Sequence, residues 1–124
     1  LAFFRRLKQQ KTYICQCEIL AAVAAYLTFP DLLEGRLAHH FVDNEAALSG
    51  LIKGYSGKTI SARILEEAHV VLMRVACHPW FGFVYSEDNL SDLPSRFDFE
   101  LMRSLGAKRR HMKLPSLTHP GEVL

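Results

Sequence analysis

Apolar positions recur along this chain at two periods, and the change of period marks its elements. Over residues 16–27, Leu20, Val23, Ala24 and Leu27 recur at i, i+3, i+4 and i+7, with Ile19 and Tyr26 widening the apolar surface, which predicts a helix. That helix is apolar nearly all round and is expected to be buried. Residues 11–15 are expected to be the end of a strand feeding it. Phe29-Pro30-Asp31 ends the helix, because proline disfavours helical backbone in the residue before it. Gly35 then marks a turn.

Leu37–Val42 is a short run that fits a strand and stops at Asp43-Asn44. A helix is expected over 44–53, with Asn44 as its N-cap and Gly54 as its stop, since an asparagine side chain accepts a free backbone N–H and a glycine tolerates the left-handed turn. Past Ser56-Gly57 a longer helix is predicted over 59–76. Its Ile60, Ile64, Ala68, Val71 and Val75 share one face, and Arg63, Glu66, Glu67 and Arg74 lie off it. Residues 80–85 fit a strand between Pro79 and the polar Ser86-Glu87-Asp88-Asn89 turn. A last short helix begins near Asp98, with Phe97 and Met102 at staple spacing and Gly106 closing it. Helices alternating with strands imply an α/β sheet with parallel pairings. One unit is expected over residues 11–106, between basic segments at 1–10 and 107–124, with no internal repeat and no second domain.

Composition narrows the class. With 124 residues, 49% of them apolar and 23% charged, the chain can bury a core without metal or disulfide and is not of disordered type. Its longest wholly apolar run, residues 19–27, is shorter than the roughly 20 residues of a membrane-spanning helix. No secretory signal is visible, because the basic start leads into no long apolar segment. The sequence opens on Leu1 rather than a methionine, so a segment upstream of it is expected. Three cysteines do not close a disulfide framework. Cys15 and Cys17 lie two apart and Cys77 is alone, which is not the paired spacing of a zinc site. Reduced thiols in an intracellular setting are expected.

The net charge of +2 conceals a pattern. Residues 1–17 hold Arg5, Arg6, Lys8 and Lys11 and no acid, and residues 101–124 hold Arg103, Lys108, Arg109, Arg110 and Lys113 against Glu122 alone. Between them lie twelve of the thirteen acids and six of the fifteen bases. Basic ends around an acidic middle suit a protein that holds a polyanion at its rim and cations at its centre. Solvated tails that bind nothing specific have the same composition.

Three carboxylates stand at the edges of predicted elements: Glu18 near the start of the buried helix, Asp43 at the end of a strand, and Asp92 just after the last strand. Burying lone carboxylates is costly, so such groups pair or bind a metal. Carboxylates brought together repel unless cations lie between them, and magnesium takes oxygen ligands of this kind. Each acid also has a structural explanation. Glu18 in a first turn is favoured by the helix dipole, Asp43 suits a turn, and Asp92 suits an N-cap. Spacing alone leaves both readings open.

The strings around these acids carry a resemblance. Cys17-Glu18-Ile19-Leu20-Ala21-Ala22, Phe41-Val42-Asp43-Asn44-Glu45-Ala46-Ala47-Leu48 and Asn89-Leu90-Ser91-Asp92-Leu93-Pro94-Ser95-Arg96 resemble, in order, the E-L-x-A, D-N-x-x-A and N-x-A-D-x-x-S-R motifs of ribonuclease H domains in retroelement reverse transcriptases. Ile52-Lys53-Gly54-Tyr55-Ser56 and Trp80-Phe81 look like the subset found in protist and algal genomes. The resemblance runs over residues 11–106.

It implies a ribonuclease H-like α/β fold, a mixed sheet flanked by helices, truncated at its N-terminus. It also implies an acidic cluster holding two magnesium ions that cuts the RNA strand of an RNA–DNA hybrid. Glu18, Asp43 and Asp92 match the second, third and fourth acids of that cluster, as catalytic residues and metal ligands. Lys53 and Tyr55 are placed along a hybrid groove, although no family motif requires it. Arg5, Arg6, Lys108, Arg109 and Arg110 are candidates to bind nucleic acid. The chain departs from the family at two points. The first-strand aspartate is absent, since residues 1–17 contain no acid. Tyr85-Ser86-Glu87-Asp88 also stands where many members carry a histidine. His39 and His40 are expected to be satisfied sheet residues, and His69, His78, His111 and His119 lack metal-ligand spacing.

Two functional classes follow. One is a magnesium-dependent ribonuclease H domain whose first strand lies upstream. The other is a non-catalytic descendant, a pseudoenzyme serving as an interaction module or assembly subunit. In either case the sheet edge left by the missing strand is expected to be covered by residues 1–4 folding back or by another polypeptide.

Overall fold

The computed structural model describes residues 13–117. The basic segment with Arg5 and Arg6, the expected cover over residues 1–4, and His119 fall outside them. Helix α1, Ile14–Thr28, buries Gln16, Ile19, Leu20, Ala22, Val23, Ala24, Tyr26 and Thr28, most of its apolar surface. This is not the burial nearly all round that its pattern suggests, since Ile14, Cys17 and Ala21 form an exposed stripe. It starts earlier than expected. Ile14 and Cys15 belong to α1 rather than to a strand, and Cys17 N–H donates to Tyr13 O at 3.0 Å. The β-branched and aromatic run Thr12-Tyr13-Ile14 favours extended backbone locally, but Cys15, one turn before Ile19, packs on the core, and that packing continues the helix.

Phe29 caps α1 and opens a short second helix, α2, Pro30–Leu33, where only a turn was expected. Proline suits a first helical position, because its missing N–H has no partner there anyway. Strand β1, Leu37–Val42, falls where the pattern placed it. Helix α3, Glu45–Lys53, has Asn44 as its N-cap, with Oδ1 accepting from Ala47 N–H at 2.9 Å. Gly54 closes α3 at φ 78°, and a Cβ there would stand 2.6 Å from His69 Nε2. Gly50 lets α3 approach its neighbour, since a Cβ there would meet Leu65 Cδ1 at 3.2 Å.

Helix α4, Thr59–Val75, buries Ser61, Ile64, Leu65, Ala68, Val71 and Val75. Most of the expected face is there, Ile60 being half-buried at its start. The largest helix–helix contact runs between α1 and α4, joined by Ile19, Val23, Ile64, Leu65 and Val71. Removing one such leucine or isoleucine side chain typically costs about 2–5 kcal/mol.

Strand β2, His78–Phe83, pairs parallel with β1 in the register Leu37↔His78 to Val42↔Phe83. The α/β arrangement and its parallel pairing agree with the sequence, but β2 begins two residues before the expected 80–85. Ala76 takes a left-handed turn at φ 54° and His78 N–H donates to Arg36 O at 2.9 Å, so pairing with β1 sets the start. Pro79 is tolerated within β2 because the strand's other side carries no partner among the described residues.

The helices cover one face of this pair, burying Val42 and half-burying Ala38, His40, Pro79 and Phe81. On the opposite face Leu37, Phe41 and Trp80 are 84%, 60% and 73% exposed, although parallel strands are ordinarily covered on both sides.

After β2 the chain forms a 3-10 turn at Ser86–Asp88, then the short helices α5, Asp92–Ser95, and α6, Glu100–Ser104. Helix α5 has Ser91, not Asp92, at its N-cap position, and α6 starts two residues after Asp98. Phe97 does not staple α6 down: its ring is 85% exposed. The basic C-terminal segment returns to the body. Arg110 donates to Thr28 O and to both carboxylate oxygens of Asp31, and lies over the Phe29 ring at 4.9 Å. Lys113 N–H donates to Thr28 Oγ1 at 3.0 Å. Among the described residues no helix is long and apolar enough to cross a membrane.

Candidate functional site

Parallel strands leave their C-terminal ends as the natural place for a site, since the loops there gather residues from several elements. Val42, 4% exposed, anchors the end of β1 in the core and sets Asp43 just beyond it. Helix α1 sets Glu18 on its second turn. The turn after β2 delivers Asn89, whose Nδ2 donates to Asp43 Oδ2 at 3.0 Å. Asn89 Oδ1 accepts from Ser91 N–H at 3.2 Å and from Ser91 Oγ at 2.7 Å. With its oxygen taken by Ser91, the amide can present only its N–H₂ group to Asp43.

Glu18 is half-buried. Burial first, and then the negative charge of Asp43, push its carboxyl above the ordinary value of 4.5. Both effects disfavour the charged form of Glu18, burial being the larger. The same surroundings raise the neighbouring thiols. Burial and the Glu18 charge push Cys17 up, and in Cys15 burial outweighs the opposing charge of Lys58. Neither thiol is therefore primed as a thiolate nucleophile.

Asp92 does not join the pair. Its N–H donates to Asn89 O at 3.0 Å, which holds its backbone one turn from Asn89. Its carboxylate, however, turns to Arg96, with Oδ2 3.0 Å from Nη2. Among the described residues no three His, Cys, Asp or Glu side chains come together to hold a metal ion. Of the three carboxylates expected together, Asp43 is bonded to Asn89 and its charge reaches Glu18, while Asp92 faces Arg96. Arg96, the residue that caps α5 four positions on, gives Asp92 this counterion.

The remaining candidates separate. Lys53 and Tyr55 line one cavity of about 270 Å³, together with Cys15, Ser56 and Ser61. Lys108 and Arg109 line another, beside α6. Arg110 is held by Asp31 and Thr28, and so is not a free basic side chain. His40 is satisfied, as expected, by Tyr26: the Tyr26 hydroxyl and His40 Nδ1 lie 2.7 Å apart. His39 turns outward and stacks on Phe41.

Asn89 was not singled out from the sequence. Its signal was its place at the head of the Asn89–Arg96 string, where an amide opposite a strand-end aspartate has a ready partner. No protein-family model, curated protein or solved structure matches this chain.

Proposed function

We propose that this chain is a ribonuclease H-like module, related to domains that cut the RNA strand of RNA–DNA hybrids, and that it does not cut by itself. The observation that carries the reading is Asp43 at the end of a parallel strand, bonded to Asn89, with Glu18 on the adjoining helix within reach of its charge. Each of these residues lies in a string that resembles a family motif, and the three strings meet at one end of the sheet.

Two magnesium ions do not fit the donor set. Glu18 and Asp43 supply two negative charges against four, Asp92 is engaged by Arg96, and residues 1–17 offer no further acid. Two-ion catalysis needs ligands that bridge both cations. No hydrolytic step is therefore assigned to this chain alone.

The second reading, a non-catalytic subunit derived from such a domain, is favoured by the open sheet face. Leu37, Phe41 and Trp80 form an apolar surface of the kind that marks a contact with another polypeptide.

The test is cleavage of a labelled RNA–DNA hybrid in magnesium, with this chain and its Asp43→Asn variant side by side. Silence from both is expected. Metal-dependent cutting that disappears in the variant would show a competent enzyme and overturn the inactive reading.

A further inference from the structure

The segment after β2 builds a second feature, away from the carboxylate pair. Phe97 takes φ 63°, a left-handed conformation that bulky side chains rarely adopt. The backbone holds it there: Phe97 N–H donates to Pro94 O and Asp98 N–H to Leu93 O, both at 3.0 Å. This turn leaves the ring 85% exposed. Phe99 meets it edge to face, with centroids 6.5 Å apart and planes at 78°. Beyond α6, Ala107 N–H donates to Met102 O at 2.9 Å, which turns the following residues back along the helix.

Between these parts lies a cavity of about 500 Å³ lined by Phe97, Phe99, Met102, Arg103, Lys108 and Arg109, with no acidic residue in its wall. Asp98 and Glu100 belong to the same segment but do not line it. Among the described residues, the Arg103, Lys108 and Arg109 side chains have no ion-pair or hydrogen-bond partner.

A strained, exposed aromatic ring beside three unpaired cations has the two halves of a recognition surface for a charged chain that also carries π faces. We propose that this cleft binds single-stranded nucleic acid, stacking a base on Phe97 and seating the adjoining phosphates on Arg103, Lys108 and Arg109. Stacking on an aromatic side chain tolerates any base, and a basic groove follows the backbone. A duplex keeps its bases stacked inside and offers no free face to Phe97. An acidic peptide matches the cations but leaves the ring without a regular partner. The cleft needs neither Glu18 nor Asp43 nor a metal ion, so the inference goes beyond the hydrolase reading.

The experiment is fluorescence anisotropy of a labelled oligothymidylate of roughly twelve nucleotides, within the usual site size, measured in EDTA so that cleavage plays no part. Phe97→Asn is the first variant, because asparagine accepts the left-handed turn while removing the ring; circular dichroism checks the fold. It is expected to weaken binding about tenfold and to leave the salt dependence unchanged, as loss of one stacked base should. Arg109→Ala is expected to reduce the slope of log Kd against log salt by about 0.7, the contribution of one phosphate on a single strand. An abasic oligomer of equal length and polyglutamate are expected to compete at least tenfold less well than unlabelled oligothymidylate. Binding by Phe97→Asn as tight as the parent's, or either competitor matching the oligomer, overturns the proposal. A silent cleavage assay leaves this outcome unaffected, and a negative result here leaves the cleavage test unaffected.

Discussion

The side-chain amide of Asn89 donates to Oδ2 of Asp43 at 3.0 Å, joining the turn after β2 to the end of β1 across 46 positions of sequence. Because Ser91 occupies the Asn89 oxygen, the bond is directional. Asn89→Ala is expected to cost about 1.5 kcal/mol, at the low end for a hydrogen bond to a charged group because Asp43 is half-exposed. Asn89→Asp is expected to cost more at neutral pH, by setting two carboxylates face to face. That excess should shrink on acidification, when one of them takes up a proton. Urea denaturation of the three proteins at pH 7 and pH 5 checks both statements, and equal midpoints at pH 7 would remove the bond from the account.

Glu18 gives the site a pH dependence of definite sign. Its carboxyl titrates above 4.5 in the folded chain, so folding favours the protonated form. The stabilisation is complete below the unfolded value and is lost as pH rises through the folded one. Glu18→Gln keeps the shape without the charge. The variant is expected to be more stable than the parent at pH 7, with the difference closing as pH falls toward 4.5. Thermal melts across that range measure it, and a constant difference would contradict the raised Glu18 carboxyl.

Beneath the sheet the sign is opposite. Burial lowers the pKa of His40 below 6.5, and its Nδ1 lies 2.7 Å from the Tyr26 hydroxyl. A neutral ring can accept that proton, and a doubly protonated one cannot. Burial, with a smaller effect from Cys77, also raises Tyr26, so the phenol stays a donor at any ordinary pH. His40 therefore contributes stability that is present above 6.5 and is lost as pH falls through its lower folded value. Tyr26→Phe should cost about 1 kcal/mol, leaving a buried acceptor unpaired. His40→Gln should remove the decline between pH 7 and pH 5. A parent melting temperature that does not fall on that side would refute this, once the Glu18 effect is subtracted with Glu18→Gln.

Much of this architecture was legible because local signals and burial agree. Leu37–Val42, Asn44 as an N-cap, Gly54 as a stop and the apolar face of α4 all lie where period and cap chemistry put them. The misses occur where tertiary contact overrides local preference. Tyr13-Ile14 favours a strand, yet Cys15 packs as part of α1. The start of β2 follows its register with β1 through Pro79, rather than the proline signal. At the site, the sequence marked Glu18 and Asp43 but could not show that Arg96 takes the Asp92 carboxylate. Side-chain direction within a four-residue helix depends on packing that no spacing encodes. Phe97 was read as a staple on its distance from Met102, and a positive φ turns it outward instead.

The α1–α4 interface contains one polar bond whose removal is expected to be non-additive. Gln16 Nε2 donates to Ser61 Oγ at 3.1 Å, and both residues are 1% exposed. The other amide atom, Gln16 Oε1, is buried without a partner among the described residues. A half-satisfied pair of this kind contributes little net stability, because the bond it makes is offset by the desolvation of the oxygen. Ser61→Ala leaves the Gln16 N–H₂ group unpaired as well and is expected to cost about 2 kcal/mol. Gln16→Met is close to isosteric and leaves only the serine hydroxyl unpaired, at a cost of about 1 kcal/mol. In the double variant both polar groups are gone and methionine fills the space. Its stability should equal or exceed the parent's, although the single costs sum to about 3 kcal/mol. Such a coupling is well beyond the roughly 0.5 kcal/mol scatter of independent sites. Urea denaturation of the four proteins reads it directly. Additive losses would mean that the two side chains do not depend on each other, and that the unpaired Gln16 oxygen finds a partner in solution.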